Sequence, residues 1–157
     1  MTGRVTLRDL EGTYKRVTSR IYRLLEDGYD FAVEEQIIAI LDMDARIVDA
    51  AFFVLIFGQI ENRLNELALR RLRTERERNA IREARFQRRL ETALPGADNK
   101  DLRKTISGWY DLRSDAAHGE RLHERYNVAA VFERAFELDA LVSAQFNRSE
   151  SQGEESQ

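Results

Sequence analysis

A short segment near the middle of the C-terminal half of the chain carries residues that could do acid–base and phosphate chemistry. Residues 109–119 read Trp-Tyr-Asp-Leu-Arg-Ser-Asp-Ala-Ala-His-Gly. The chain has only two histidines, His118 and His123, so any imidazole chemistry must use one of them. Histidine suits proton transfer near neutral pH because its unperturbed pKa is about 6.5. Arginine is a permanent cation that can bind two phosphoryl oxygens at once, and Arg113 lies five residues before His118.

Arg113 is expected on the inward face of its helix. It follows Trp109 by four residues and Ile106 by seven, which places all three on one stripe. A guanidinium on a buried face needs a partner, which can be an acid, a carbonyl or a phosphate ligand. Glu61 and Asp111 are the candidate acids, and an ion pair with either would give Arg113 a purely structural role.

The spacing from Arg113 to His118 does not by itself bring the two side chains together. Five residues turn an α-helix by about 500°, which leaves the side chains about 140° apart. They can converge if the helix ends between them, with Gly119 as a natural stop, or if a second subunit supplies the other member. Alternatively, His118 only interacts with the last carbonyls of its helix and with the helix dipole.

Apolar residues recur at steps of three and four along most of the chain. This periodicity predicts helices at about 6–27, 30–41, 45–73, 75–92, 98–116 and 127–146. Gly28, Asp30 and the Asp42–Asp44 segment are the expected boundaries between the first three. No stretch alternates with period two for long enough to indicate a strand. The sequence therefore predicts an all-α fold, an up-and-down bundle of five to six helices.

Length and composition indicate one domain over residues 1–146 and a disordered acidic tail over 147–157. Residues 1–20 lack the apolar segment of a signal peptide. The apolar run Ala50–Phe57 is much shorter than the roughly 20 residues of a membrane span and is expected to be central in the bundle. We therefore expect a cytoplasmic protein without membrane contact.

The absence of cysteine excludes disulfides, thiol nucleophiles, cysteine-ligated zinc and iron–sulfur clusters. The two histidines are five residues apart and have no organised carboxylates at ligand spacing, so neither a metal site nor another cofactor is expected.

The net charge of −3 conceals an uneven distribution. Residues 70–89 contain nine Arg and three Glu, a net of +6, so the remainder carries −9. Some of these arginines have glutamates at i, i+4, namely Arg71 with Glu75 and Arg73 with Glu77. We name as the basic ridge the four that have few such partners: Arg82, Arg85, Arg88 and Arg89. The ridge is either an ordinary solvated surface or a surface that binds a phosphate backbone without sequence choice.

Two motifs resemble the HEPN family. The first is the run Arg113-Ser114-Asp115-Ala-Ala-His118-Gly at a predicted helix end, since the family signature is an Arg, four to six residues and a His. The second is the apolar run from Phe52 followed by Gln-Ile-Glu61-Asn-Arg-Leu, which is similar to the core helix of the family. The resemblance covers roughly residues 47–146.

The resemblance implies an all-helical, commonly dimeric, metal-independent endoribonuclease of the kind found in toxin–antitoxin and antiviral defence systems. By analogy, Arg113 and His118 are the catalytic pair, and two copies face each other across a dimer cleft. Glu61, Ser114 and Asp115 are supporting residues, and Asp115 could orient His118 or only cap a turn. The implied partners are RNA, a second copy of the chain and an antitoxin protein.

The chemistry of RNA cleavage agrees with this assignment. A 2′-hydroxyl that attacks the adjacent phosphate needs a proton acceptor, a proton donor and a cation. A two-fold dimer would supply two His and two Arg in one cleft. The alternatives are a HEPN module that binds nucleic acid, nucleotide or protein without catalysis, and a helical interaction protein that associates through its Ile60–Leu72 stripe.

Overall fold

The computed structural model describes residues 5–30, 35–119 and 126–154. These residues form six α-helices and one short 3₁₀ helix, without a strand. The helices are α1 (Leu7–Asp30), α2 (Glu35–Arg70), α3 (Glu75–Arg82), α4 (Phe86–Ala93), α5 (Lys100–His118) and α6 (Val128–Glu154), and the 3₁₀ helix at Ala97–Asn99 precedes α5. The predicted all-α fold with five to six helices is confirmed. None of the helices in these ranges has an apolar stretch long enough to serve as a transmembrane span.

The first two predicted helix boundaries are wrong. Helix α1 runs through Gly28 and ends at Asp30, so Asp30 does not cap the next helix. Helix α2 continues through Asp42 and Asp44 for 36 residues in all. The Nε of Arg46 donates to Asp42 Oδ2 at 2.8 Å, an i, i+4 pair that supports the helix where a break was predicted. A single glycine lowers helix stability by only about 1 kcal/mol, which the remainder of a long helix tolerates.

The arginine-rich region is divided more finely than the periodicity predicted. Helix α2 stops before Thr74, whose extended backbone (φ −104°, ψ 150°) begins α3. Thr74 Oγ1 accepts from the Glu77 N–H, and the Glu77 carboxylate accepts from the Thr74 N–H, which together form a capping box. No continuous helix spans residues 71–77, so the predicted i, i+4 geometry does not form. Arg71 bonds the Ala93 carbonyl, and the pKa of Glu77 is lowered by Thr74 and, to a smaller extent, by the backbone and charge of Arg73. The predicted helix over 75–92 is likewise split into α3 and α4.

The later boundaries agree better with the sequence. Gly96 adopts φ +87° directly after Leu94-Pro95, the predicted stop. Asn127 caps α6, because its Oδ1 accepts from the Ala130 N–H at 3.1 Å. Helix α6 extends to Glu154, so residues 147–154 are helical and not the disordered tail that was predicted. Glu and Gln are good helix formers and no proline interrupts this segment, which lets the backbone continue.

The residues group into two compact units. The first unit combines 1–57 with 111–132, and the second combines 58–110 with 133–157. A single domain over residues 1–146 stays a prediction.

The core of the first unit centres on α2, where Phe53, Ile56 and Phe57 are fully buried. Leu55 is 51% exposed, so the apolar run Ala50–Phe57 is not buried on every side as predicted. Asp49 is also buried, and its Oδ1 accepts from the Tyr14 hydroxyl at 2.8 Å. This hydrogen bond joins α1 to α2 and gives a buried carboxylate a partner.

The core of the second unit joins four helices. It contains fully buried aliphatic side chains from α2, α4, α5 and α6, namely Ile60, Leu64, Leu67, Leu90, Ile106 and Leu138. Phe86 and Tyr110 stack with ring centroids 4.2 Å apart and planes at 6°. Arg71 donates from Nε to the Ala93 carbonyl at 2.9 Å and so satisfies a terminal carbonyl of α4.

Candidate active site

Arg113 is a half-buried cation on α5 in the first unit, and it has no partner among the residues that the structure describes. Its Nε is enclosed by protein and has no hydrogen-bond partner, and its guanidinium forms no ion pair with any residue in the described ranges. Neither candidate acid is its partner. Glu61 pairs with Arg89, and Asp111 is exposed on the surface of α5. The purely structural role that an acid pair would give Arg113 is therefore not seen.

His118 is the exposed last residue of α5. Gly119 follows with φ +73°, and its N–H donates to the Ala116 carbonyl at 3.2 Å, which ends the helix. The helix therefore ends after the motif and not between Arg113 and His118. On one continuous helix the two side chains point about 140° apart, so a single chain does not bring them together through α5. Of the two routes to convergence, only a second copy remains.

The supporting residues Ser114 and Asp115 share a helix face with His118, at i, i+4 and i, i+3. Ser114 is exposed and Asp115 is half-buried. No hydrogen bond joins His118 to either of them, or to another residue in the described part of the chain. Orientation of His118 by Asp115 is thus not seen in this structure. His123, the only other histidine, lies outside the described residues.

Arg89 of α4 lies in the second unit and is held by two residues of α2. Its Nη2 donates to Glu61 Oε1 at 2.9 Å, and its Nη1 donates to Asn65 Oδ1 at 3.1 Å. The side chains of Arg89 and Glu61 are each only 20% exposed. Glu61 therefore supports Arg89 and not Arg113. Arg89 in turn is a helix–helix crosslink and not a free contact for a phosphate backbone.

Of the other three arginines of the basic ridge, one is hydrogen-bonded to neighbouring side chains and two have no such partner among the described residues. Arg82 Nη1 contacts Glu75 Oε1 at 2.9 Å and Asn79 Oδ1 at 2.6 Å, and this contact lowers the pKa of Glu75. Arg85 and Arg88 are exposed and make no side-chain hydrogen bond or ion pair within the described ranges. The part of the ridge open to an anionic ligand is thus Arg85 and Arg88.

A small cavity of about 230 Å³ lies beside the ridge in the second unit. It is lined by Asn65, Leu69, Ile81, Arg82 and Arg89. Sequence reasoning missed this site. The contributing residues come from α2, α3 and α4, and no local spacing relates them.

No group of three or more potential metal ligands occurs among the residues that the structure describes. Comparisons of this chain with protein-family models, with curated proteins and with solved structures give no match.

Proposed function

We propose that this protein is a metal-independent endoribonuclease of the HEPN type, with Arg113 and His118 as its catalytic pair. The observation that carries the proposal is the unpaired state of Arg113. A half-buried guanidinium with an enclosed, unsatisfied Nε loses hydration without gaining a protein partner. A phosphate bound against it would supply the missing charge and hydrogen-bond acceptors.

The reaction needs only groups that this chain supplies. One imidazole takes the proton from an RNA 2′-hydroxyl, whose oxygen attacks the adjacent phosphorus. The bond from phosphorus to the 5′-oxygen breaks, and a second, protonated imidazole gives that oxygen a proton. The products are a 2′,3′-cyclic phosphate and a 5′-hydroxyl. Arg113 stabilises the charge that develops on the non-bridging oxygens.

The proposed site requires a second copy of the chain, because α5 directs Arg113 and His118 apart. The first unit, which contains both residues, also has an unpartnered apolar face on α2. Ile37, Ile40, Met43, Ile47 and Leu55 are 45–60% exposed and lie within an arc of about 120° of the helix. An exposed apolar face of this kind favours an interface, and we assign it to a second copy. The toxin or antiviral role and the antitoxin partner belong to the same proposal through the family resemblance.

The test uses purified protein, a labelled single-stranded RNA and EDTA. We expect cleavage that leaves 2′,3′-cyclic phosphate ends and is lost in His118→Ala. His123→Ala is the matched control, since it removes the only other imidazole, and it should cleave like the wild type. Circular dichroism establishes that both variants fold. Equal cleavage by His118→Ala and the wild type would overturn the assignment.

Subunit mixing tests whether the site is shared between copies. Arg113→Ala and His118→Ala are each expected to be inactive. Because the mechanism uses both imidazoles of the shared cleft, wild type refolded with an equal amount of His118→Ala should retain only about one quarter of the wild-type rate, the share of dimers with two intact His. Retention of about one half of the rate, with mixed dimers demonstrated by native mass spectrometry, would contradict a shared site.

A non-catalytic HEPN module is the second candidate. The observation that favours it is that no hydrogen bond from a described residue orients His118, since catalytic bases are usually oriented by a third group. This alternative predicts RNA binding that weakens steeply with salt, through Arg85 and Arg88, and no cleavage.

A further inference from the structure

The cavity beside the basic ridge has an unusual combination of walls. Leu69 of α2 and Ile81 of α3 are apolar, whereas Arg82, Arg89 and Asn65 bring planar polar groups. The cavity measures about 230 Å³, below the roughly 300–1,000 Å³ of pockets for drug-sized ligands. Its size therefore suits a single small ring system and not an extended ligand.

The charges at this cavity are already balanced. Arg89 is paired with Glu61 at 2.9 Å, and Arg82 is paired with Glu75 at 2.9 Å. A free phosphate or carboxylate would therefore meet two guanidinium groups that are neutralised by nearby carboxylates. The cavity is better suited to a neutral ligand than to an isolated anion.

The hydrogen-bonding groups at the cavity are donors. Asn65 uses its carbonyl oxygen to accept from Arg89, and its amide nitrogen has no partner within the described ranges. Arg89 donates from two nitrogens, while a guanidinium carries about five N–H groups in all. A ligand that fits must therefore offer acceptors. A flat ligand would also gain contact with guanidinium planes and with the aliphatic side chains of Leu69 and Ile81.

We propose that this cavity receives one nucleobase turned out of a single-stranded RNA. A nucleobase is a neutral, planar ring with acceptor atoms on its edge, and protein sites for single-stranded RNA use guanidinium planes and edge hydrogen bonds in this way. Arg85 and Arg88 lie between Arg82 and Arg89 in the sequence and are free to contact the flanking phosphates. The inference rests on the proposed function in that RNA is the ligand. It divides the ridge into phosphate-binding and base-binding arginines.

The test uses short single-stranded RNAs that carry 2-aminopurine at successive positions and 2′-O-methyl groups that block cleavage. When a 2-aminopurine unstacks from its neighbouring bases and enters a cavity without aromatic walls, its fluorescence should increase by about twofold or more. Asn65→Asp retains the oxygen that accepts from Arg89 but removes the amide donor. Asn62→Asp makes the same charge change on an exposed residue of α2 that does not line the cavity.

We expect wild type and Asn62→Asp to show the fluorescence increase at one position, and Asn65→Asp to lose it. Asn65→Asp should also bind the RNA about 5- to 100-fold more weakly by anisotropy, the range for a buried acceptor that loses its hydrogen-bond donor. RNA binding without brightening at any position would overturn the base site, as would equal behaviour of the two variants. Equally tight binding of free 2-aminopurine ribonucleotide would identify a mononucleotide site instead.

The cleavage assay separates this inference from the proposed function. Brightening with the 2′-O-methyl RNA, without cleavage of the same RNA lacking 2′-O-methyl groups, would retain the base site and reject the nuclease. Cleavage of unmodified RNA without brightening would do the reverse. Absence of any RNA binding by anisotropy would overturn both.

Discussion

Arg113 in the first unit and Arg89 in the second unit are both half-buried arginines on helices, and they differ in one respect. Arg89 has an acid and an amide within 3.1 Å. Arg113 has neither among the described residues, although the chain contains more acidic than basic residues. Arg89 is thus neutralised within its own unit, whereas Arg113 is not neutralised by any residue that the structure describes.

This difference separates two uses of the same residue type. A guanidinium that is paired across two helices contributes to the packing of those helices, because removing either partner leaves a charge partly buried. A guanidinium without a partner contributes little to stability and is available to a ligand that brings negative charge. Substitution of each arginine should therefore change a different property of the protein.

Substitution of Arg113 should have the largest effect, and that effect should be on activity. We expect Arg113→Ala to lower the rate of RNA cleavage by about 10²–10³-fold, because one electrostatic contact to the transition state is lost. Arg113→Lys should restore little of the rate, since an ammonium group cannot bind two phosphoryl oxygens in one plane. The thermal midpoint of either variant should stay close to that of the wild type. Destabilisation as large as that of Arg89→Ala would contradict the comparison.

Substitution of Arg89 should act mainly on stability. Arg89→Ala removes a charged hydrogen-bond donor from Glu61 and Asn65, and should lower the free energy of unfolding by about 2–3 kcal/mol. Urea denaturation measures this change. Arg88→Ala, an exposed neighbour on the same helix, is the matched control and should change it by no more than about 0.5 kcal/mol. A double-mutant cycle with Glu61→Gln should show that the two substitutions are not additive.

Thr74→Ala should have the smallest effect. The substitution removes the N-cap of α3, the short helix that carries Arg82, and should cost about 1 kcal/mol in the free energy of unfolding. Thr92→Ala is a control, because the Thr92 hydroxyl bonds only a carbonyl of its own helix.

The same variant has a consequence for pH dependence. Hydrogen bonds from the backbone and side chain of Thr74 lower the pKa of Glu77. Because the folded pKa is below the unfolded one, the stabilisation is present above the unfolded pKa and is lost as the pH falls through the folded value. Thr74→Ala keeps the backbone N–H and removes only the hydroxyl, so it should return the pKa of Glu77 part of the way toward its usual range, as measured by NMR titration of the carboxyl carbon. An unchanged pKa would exclude the Thr74 hydroxyl as a cause.

Local features of the chain were largely predictable. The cap at Asn127 depends on residues a few positions apart in the sequence, and so does the stop at Gly96. The helical periodicity around each of them is also local. The stripe that placed Arg113 on the inward side of α5 was correct for the same reason, since Ile106 seven residues earlier is fully buried. The Arg113–His118 pair was named from the resemblance of its motif to the HEPN signature, and its role stays a proposal.

Contacts between distant residues were not predictable. Glu61 was one of two candidate acids for Arg113, yet Glu61 bonds Arg89, 28 residues away. Asp42–Asp44 was predicted to separate two helices as a capping segment. In the structure Asp42 instead accepts a hydrogen bond from Arg46 within one continuous helix. Caps and salt bridges draw on the same polar residue types, so a single sequence leaves open which of them forms.

The sequence by itself determined an all-helical chain, its arginine-rich segment and the single motif that can do acid–base chemistry, because each depends on residue types and on spacings within one helix. Only the tertiary structure decided which arginines are held and which are free, and that α5 remains helical through His118. Those outcomes depend on which helices lie side by side, and the free energy of a buried charge is set by the neighbours that this packing supplies.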